Sequence, residues 1–204
     1  SYLFSQIPNE RLYVAIQMMD QVGIINTENN QIENLIEIEM QDNQGMSCMD
    51  FEDQMMCDMM DDCEWMMGMC MENMDSNSIN TPHFIIMDEK LGYWFVTTIA
   101  SGYIAQHSLV DNALIDSYFV GDAPAILAID VERKKIYCSR MMPMSGMGDM
   151  MPNTESQIIH SLTYSSMGLI QSEINEYEIS SPAPHGIAIN HDGTEIYTAS
   201  NTAD

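Results

Sequence analysis

Ala183-Pro184-His185-Gly186-Ile187-Ala188-Ile189-Asn190, running through His191-Asp192-Gly193 into Glu195-Ile196-Tyr197-Thr198, is the stretch that decides how this chain is read. Thr81-Pro82-His83-Phe84-Ile85-Ile86-Met87-Asp88, ending in Tyr93-Trp94-Phe95-Val96, lies over it without a gap. Ala123-Pro124-Ala125-Ile126-Leu127-Ala128-Ile129-Asp130 followed by Lys135-Ile136-Tyr137-Cys138 fits the same frame. Tyr2-Leu3-Phe4-Ser5-Gln6 followed by Arg11-Leu12-Tyr13-Val14 fits it more loosely, with Ser1 in the place of the histidine. An internal repeat in fixed register outranks local propensity, because it describes one supersecondary unit copied along the chain.

Each copy reads as strands. Ile187-Ala188-Ile189 runs into the turn signal Asn190-His191-Asp192-Gly193 and out into Glu195-Ile196-Tyr197-Thr198-Ala199. Two further strands fit Gly102 to Gln106 and Leu114 to Val120, with counterparts at Gln21 to Ile25 and Ile32 to Ile38. Their β-branched and aromatic content favours strand over helix. The marker aromatics Tyr13, Phe95, Tyr137 and Tyr197 are separated by 82, 42 and 60 residues. The middle interval matches a four-stranded unit of about 40–50 residues. The other two carry inserts, residues 41–80 and residues 141–157, and inserts on a regular scaffold are loops, where function is usually grafted.

The Pro-His-Gly-Ile-Ala strand, the Asp-Gly turn and the Ile-Tyr-Thr strand of residues 184–200 resemble the repeat of the YVTN-type β-propeller family. The other copies match in part, and Ala125 replaces the histidine in the third. The resemblance implies an all-β β-propeller of four-stranded antiparallel blades, with about three and a half blades across residues 1–204. Propellers of this family often have about seven blades, so the resemblance implies a piece of a longer chain. It says little about chemistry, because propellers host many functions. In a meander blade, both inserts and both Pro-His dipeptides fall at connections on the same face.

The inserts are rich in sulfur. Residues 41–80 hold eleven methionines and residues 141–151 hold six. The first tract also holds Cys48, Cys57, Cys63 and Cys70, and no lysine or arginine occurs between Arg11 and Lys90. Thioethers and thiolates are soft donors that select monovalent copper over hard cations. A methionine needs no deprotonation to bind. Met-x-Met and Met-x-x-Met spacings among acidic residues resemble the methionine-rich segments of extracytoplasmic copper- and silver-handling proteins. The candidate ligands are Cys48, Met55, Met56, Cys57, Met59, Met60, Cys63, Met66, Met67, Cys70 and Met74. Met141, Met142, Met144 and Met147 of the second insert join them, together with His83 and His185 at the repeated position. Trp65 beside Met66 and Met67 could add a cation–π face.

A plainer reading stands beside this one. On a helix, Met49, Met56, Met60, Cys63, Met67, Cys70 and Met74 form an apolar stripe, with Gly68 as the interior cost. Such a stripe could cover the scaffold or make an adaptable adhesive surface. Four cysteines also allow two disulfides in three pairings, but a helix over residues 55–74 would keep Cys57, Cys63 and Cys70 too far apart to bond. Their spacings do not match zinc-ribbon pairs. Cys138, in a strand, reads as a small buried hydrophobe.

The net charge of −25 on 204 residues excludes nucleic acid and anionic membranes as partners, since both need a basic footprint. Only Arg133, Lys134, Lys135 and Arg140 cluster. No apolar stretch is long enough to span a membrane, and no calcium-loop motif, nucleophile elbow, phosphate loop or H-E-x-x-H motif is present. His83 and His185 recur at one repeat position and have a structural role open to them as well as a ligating one. His107, His160 and His191 read as surface residues. The leading expectation is a non-enzymatic, extracytoplasmic propeller that binds copper or silver through its inserts. The alternatives are an interaction or self-assembling propeller that uses the inserts as an adhesive patch, and a redox enzyme with His83 and His185 as ligands.

Overall fold

Three times the chain enters a sheet through the same strained step. Thr81, Ala123 and Ala183 each adopt a positive φ (56°, 53° and 49°) immediately before Pro82, Pro124 and Pro184. A non-glycine residue rarely adopts that conformation, and a β-branched one such as Thr81 does so least easily. The recurrence, including at the copy that carries no histidine, marks the step as part of the fold and not of one site.

The computed structural model describes residues 10–38, 54–57, 63–66, 69–72, 80–121, 123–141, 158–180 and 183–201. The first sheet is a meander of β1 (Arg11–Ile16), β2 (Gln21–Asn26) and β3 (Gln31–Glu37). The insert contains a one-turn helix, α1 (Gln54–Cys57), and a hairpin of β4 (Cys63–Met66) and β5 (Met69–Glu72). The second sheet is a four-stranded meander of β6 (Pro82–Asp88), β7 (Tyr93–Thr98), β8 (Tyr103–Ser108) and β9 (Leu114–Phe119). The third is built from β10 (Pro124–Asp130), β11 (Lys135–Arg140), β12 (Ile158–Ser165), a short β13 (Gly168–Leu169) and β14 (Asn175–Glu178), with β14 paired to β12. β15 (Pro184–Ile189) and β16 (Ile196–Ser200) form the last hairpin. Every pairing is antiparallel. The predicted all-β architecture is what the described residues show.

The repeat explains how neighbouring sheets are joined. After each proline the pairing shifts register, between Pro82 and Ile85, Pro124 and Leu127, and Pro184 and Gly186. Such bulges leave a backbone group off the ladder. At the first bulge, Phe84 N–H donates to Thr97 Oγ1 at 3.1 Å, and Thr97 Oγ1 donates onward to Ala125 O at 2.8 Å. At the second, Ile126 N–H donates to Ser139 Oγ at 3.1 Å, and Ser139 Oγ donates to His185 O at 2.6 Å. One buried hydroxyl thus closes its own bulge and binds the next sheet. At the far end of the leading strands, Asp88, Asp130 and Asn190 accept backbone N–H groups of their own turns, the local bonding that suits Asp and Asn to turns.

Sheet-on-sheet packing follows the two-residue period of a strand. Trp94 and Val96, on one face of β7, pack with Val22 and Ile38 of the first sheet's region. Phe95, on the other face, packs with Leu127, Ile136, Cys138, Leu162 and Tyr164 of the third sheet. Both faces are covered, which is why Tyr-Trp-Phe-Val reads as a continuous apolar run and not an alternating one. Tyr164 O–H donates to buried Asp88 Oδ2 at 2.7 Å; burial and this bond push the phenol's pKa up. Cys138 is fully buried, and burial pushes its thiol up to about 12, as befits an inert hydrophobe.

Two expectations are corrected. His107 and His160 are not surface residues: only 2% and 3% of their surface is exposed. Each lies in a strand, β8 or β12, that is covered on both faces, so the alternation that normally marks a solvent-facing residue is absent. His107 stacks on Trp94 with ring centroids 4.1 Å apart. His191 is exposed as expected. The apolar helical stripe through the insert is also replaced, since residues 63–66 and 69–72 are paired strands. Two residues separate the paired Met66 and Met69, a tight-hairpin length, and one of them is the Gly68 that a helix would carry at a cost.

Candidate functional site

The insert, Asp42–Ile79, is a compact unit of its own. On the scaffold side its ends are held together: buried Asn80 donates from Nδ2 to Ile38 O at 2.7 Å. Within the insert, Cys57 at the end of α1 and Cys70 in β5 form a disulfide, with their Cα atoms 5.6 Å apart. Thirteen residues of continuous helix would have put about 20 Å between them. Both cysteines are buried, and half-buried Trp65 packs against them. Met55 and Met69, by contrast, are 74% and 61% exposed. In this oxidised form Cys57 and Cys70 offer no thiolate and leave the expected ligand set, while the thioethers of Met55 and Met69 face solvent.

Met56, Cys63 and Met66 are placed by their backbones in α1 and β4. Cys48, Met59, Met60, Met67 and Met74 lie outside the described residues, as do Met142, Met144 and Met147 of the second insert. Met141 is described: it follows β11 and donates its N–H to Ala123 O at 2.8 Å. The expected common face for both inserts therefore also falls outside the described residues.

The two repeated histidines, far apart in sequence, are brought together. The rings of His83 and His185 have centroids 6.1 Å apart and are tilted by 60°. Position explains this: β10 packs against both β6 and β15, and the small Ala125 fills the equivalent place on β10. Gln17 Nε2 lies 2.7 Å from His83 Nδ1. His83 Nε2 is shielded and has no hydrogen-bond partner. Burial lowers the His83 pKa, and the neighbouring His185 lowers it further. Sequence reasoning named both histidines but not Gln17, which sits in a single turn of 3-10 helix and carries no repeat signal.

A cleft of about 280 Å³ opens between the end of β9 and the third sheet, lined by Phe119, Gly121, Arg140, Ile158, His160 and Glu176, among others. Gly121 has φ +91°, and a Cβ there would meet the Arg140 guanidinium at 2.7 Å, so the glycine lets the arginine lie against the backbone. His160 Nε2 is 3.3 Å from Glu176 Oε1. Burial lowers the His160 pKa; Glu176 opposes that shift and Arg140 adds to it. This cleft was missed because Arg140, His160 and Glu176 lie on three different strands and belong to no motif. Among the described residues, no group of three or more His, Cys, Asp or Glu is arranged to hold a metal.

Similarity to solved structures bears on the fold. Over 97% of this chain, Kuenenia stuttgartiensis hydrazine synthase is similar at a TM-score of 0.61 and 12% identity, with 41% of that chain covered. A streptogramin B lyase matches over 97% of this chain at 0.55 and 12%, with 50% of its own chain covered. A protein from Lactobacillus plantarum matches over 97% at 0.60 and 13%, with 47% covered. The chain is β-propeller-like. At these identities the likeness shows the fold alone, and this chain spans about half the length of the solved structures it matches. No protein-family model matches it, and no curated protein matches its sequence.

Proposed function

We propose that this is an extracytoplasmic β-propeller of four-stranded YVTN-type blades that captures soft metal ions, copper(I) or silver, through the methionines of its two inserts. The observation that carries the reading is the division of sulfur within the insert. Cysteine sulfur is buried in the Cys57–Cys70 disulfide, and thioether sulfur at Met55 and Met69 is turned to solvent. Thioethers hold a soft cation where thiols are oxidised, and disulfides persist chiefly in oxidising compartments outside the cytoplasm. The net charge of −25 raises the local concentration of any cation without choosing among them.

The test is titration with copper(I) in the presence of a competing chelator. Several equivalents bound by the full chain, and most of them lost on deleting residues 46–74, supports the reading. Binding unchanged by that deletion overturns it. The pinned Ile38–Asn80 neck makes the deletion practicable, because the scaffold's own bond already closes the gap.

A second reading rests on a different observation. Met18, Met19 and Met167 of the scaffold are exposed at 96%, 58% and 89%, and methionine makes adaptable contact surfaces. On that reading the chain is an interaction or self-assembling propeller, and its association persists in a strong copper chelator. No helix of the described residues is long and apolar enough to cross a membrane, and the acidic surface disfavours nucleic acid.

A further inference from the structure

The His83–His185 pair lies on the scaffold, and its donors are nitrogen. A first-row ion holds an imidazole nitrogen at about 2.0 Å, which sets each ring centroid about 3 Å from the ion. Two rings sharing one ion at a tetrahedral angle would then stand about 5 Å apart, and two rings nearly opposite each other about 6 Å apart. The observed 6.1 Å matches the second arrangement. Near-linear coordination by two neutral nitrogens suits a closed-shell monovalent ion, and imidazole is a good copper ligand.

Three further features fit a ligating pair. His83 Nε2 is held away from solvent without a hydrogen-bond partner, and a polar atom buried in that state normally has a partner. Gln17 holds the opposite nitrogen at 2.7 Å. Turning that amide, whose oxygen and nitrogen exchange places freely at such a contact, lets Gln17 Oε1 accept from Nδ1–H and leaves Nε2 with a free lone pair. Finally, Ser139 Oγ donates to His185 O at 2.6 Å and fixes the backbone of the second histidine.

We infer that His83 and His185 together form a two-nitrogen site for one copper(I) ion, distinct in its donors from the methionine inserts and oriented by Gln17. The identity of the ion rests on the soft-metal reading above; the pairing of the two rings does not. No electron moves and no covalent bond of the protein breaks in the step. The ion exchanges weakly held ligands for two imidazole nitrogens.

The experiment loads the full chain with copper(I) under reducing conditions against a chromophoric copper(I) chelator. It counts retained equivalents in the wild type, His83→Ala, His185→Ala and the double variant. Ala125 already occupies this position in the third sheet, so alanine suits the backbone. Each single variant and the double variant should lose the same one equivalent. Histidine ring signals in proton NMR of the wild type provide a measurement that needs no variant: two rings should move together and saturate at one equivalent. Unchanged equivalents in the double variant, a separate loss for each histidine, or ring signals that ignore copper would each overturn the proposal. If the methionine reading alone fails, the wild type retains a single equivalent and the histidine variants abolish it. If this inference alone fails, the variants keep every equivalent that the wild type binds.

Discussion

The second sheet and the last hairpin are written in nearly the same phrase and end in different surroundings. Phe95 on β7 and Tyr197 on β16 hold the same place in the repeat, yet the first is 0% exposed and the second 58%. β7 is covered on both faces, by the Val22 and Ile38 region and by β10 and β11. The hairpin packs through β15 against the third sheet, and its β16 face is open among the described residues. The difference teaches that the repeat sets register, turn and bulge, while burial is set by what lies on either side. An aromatic at the marker position is a core residue only when both neighbours are present.

The sharpest way to break this comparison is to truncate the two aromatics in turn. Phe95→Ala empties a closed, two-sided core and should cost about 3–5 kcal/mol. Tyr197→Ala removes an exposed ring and its bond to Glu195 Oε2 and should cost less than about 1 kcal/mol. Urea unfolding of both variants gives the two values. A Tyr197→Ala loss as large as that of Phe95→Ala would mean that the open face is covered in solution and that the two regions are equivalent after all.

Acid sharpens the same contrast, because the covered sheet also encloses a titrating group. His107 stacks on Trp94 inside the second sheet, and burial lowers its pKa to about 4, against the raising effect of its bond to Asn112 O. In the unfolded chain an ordinary histidine titrates near 6.5. Between these values the unfolded state binds a proton that the folded state refuses, so stability falls as the pH drops. The contribution is fully present above about pH 6.5 and is lost progressively down to about pH 4. It amounts to roughly 2–3 kcal/mol by pH 4.5. His107→Phe keeps an aromatic ring against Trp94 and cannot titrate. Its stability should therefore fall less than that of the wild type between pH 7.5 and pH 4.5. Parallel acid slopes for the two proteins would show that His107 is not enclosed as the structure has it.

These contrasts show what could be read from the chain. The strands, the turn at Asn190 and the burial of Cys138 all follow from a repeat whose register is written in the residues. His107 and His160 were misread because a strand covered on both faces loses the alternation that separates inside from outside. The insert was misread for a different reason. Methionine is a good helix former, so local propensity points to a helix there, and the Cys57–Cys70 bond that ties α1 to β5 belongs to one of three pairings that sequence cannot rank. The meeting of His83 and His185 was legible only as a shared position. Their contact needed the packing of β10 against both of their strands.

The smallest of the expected effects tests the joint between sheets that Thr97 and Ser139 supply. Thr97 and Ser139 each carry a buried hydroxyl that accepts from a bulge N–H and donates to a carbonyl of the next sheet. The residues in the same register of β1 and β16 are Ala15 and Ala199, which have no hydroxyl to offer. Thr97→Val keeps the shape and removes both bonds, which should cost about 1–2 kcal/mol because Phe84 N–H and Ala125 O lose a partner inside the fold. Thr97→Ser keeps the hydroxyl and should recover most of that loss. Ala15→Thr, at the same register of β1, should gain nothing comparable. Equal stability for Thr97→Val and Thr97→Ser would mean that apolar packing alone holds the second sheet to the third, and the hydroxyl joint would then be an accompaniment of the repeat and not a cause of its assembly.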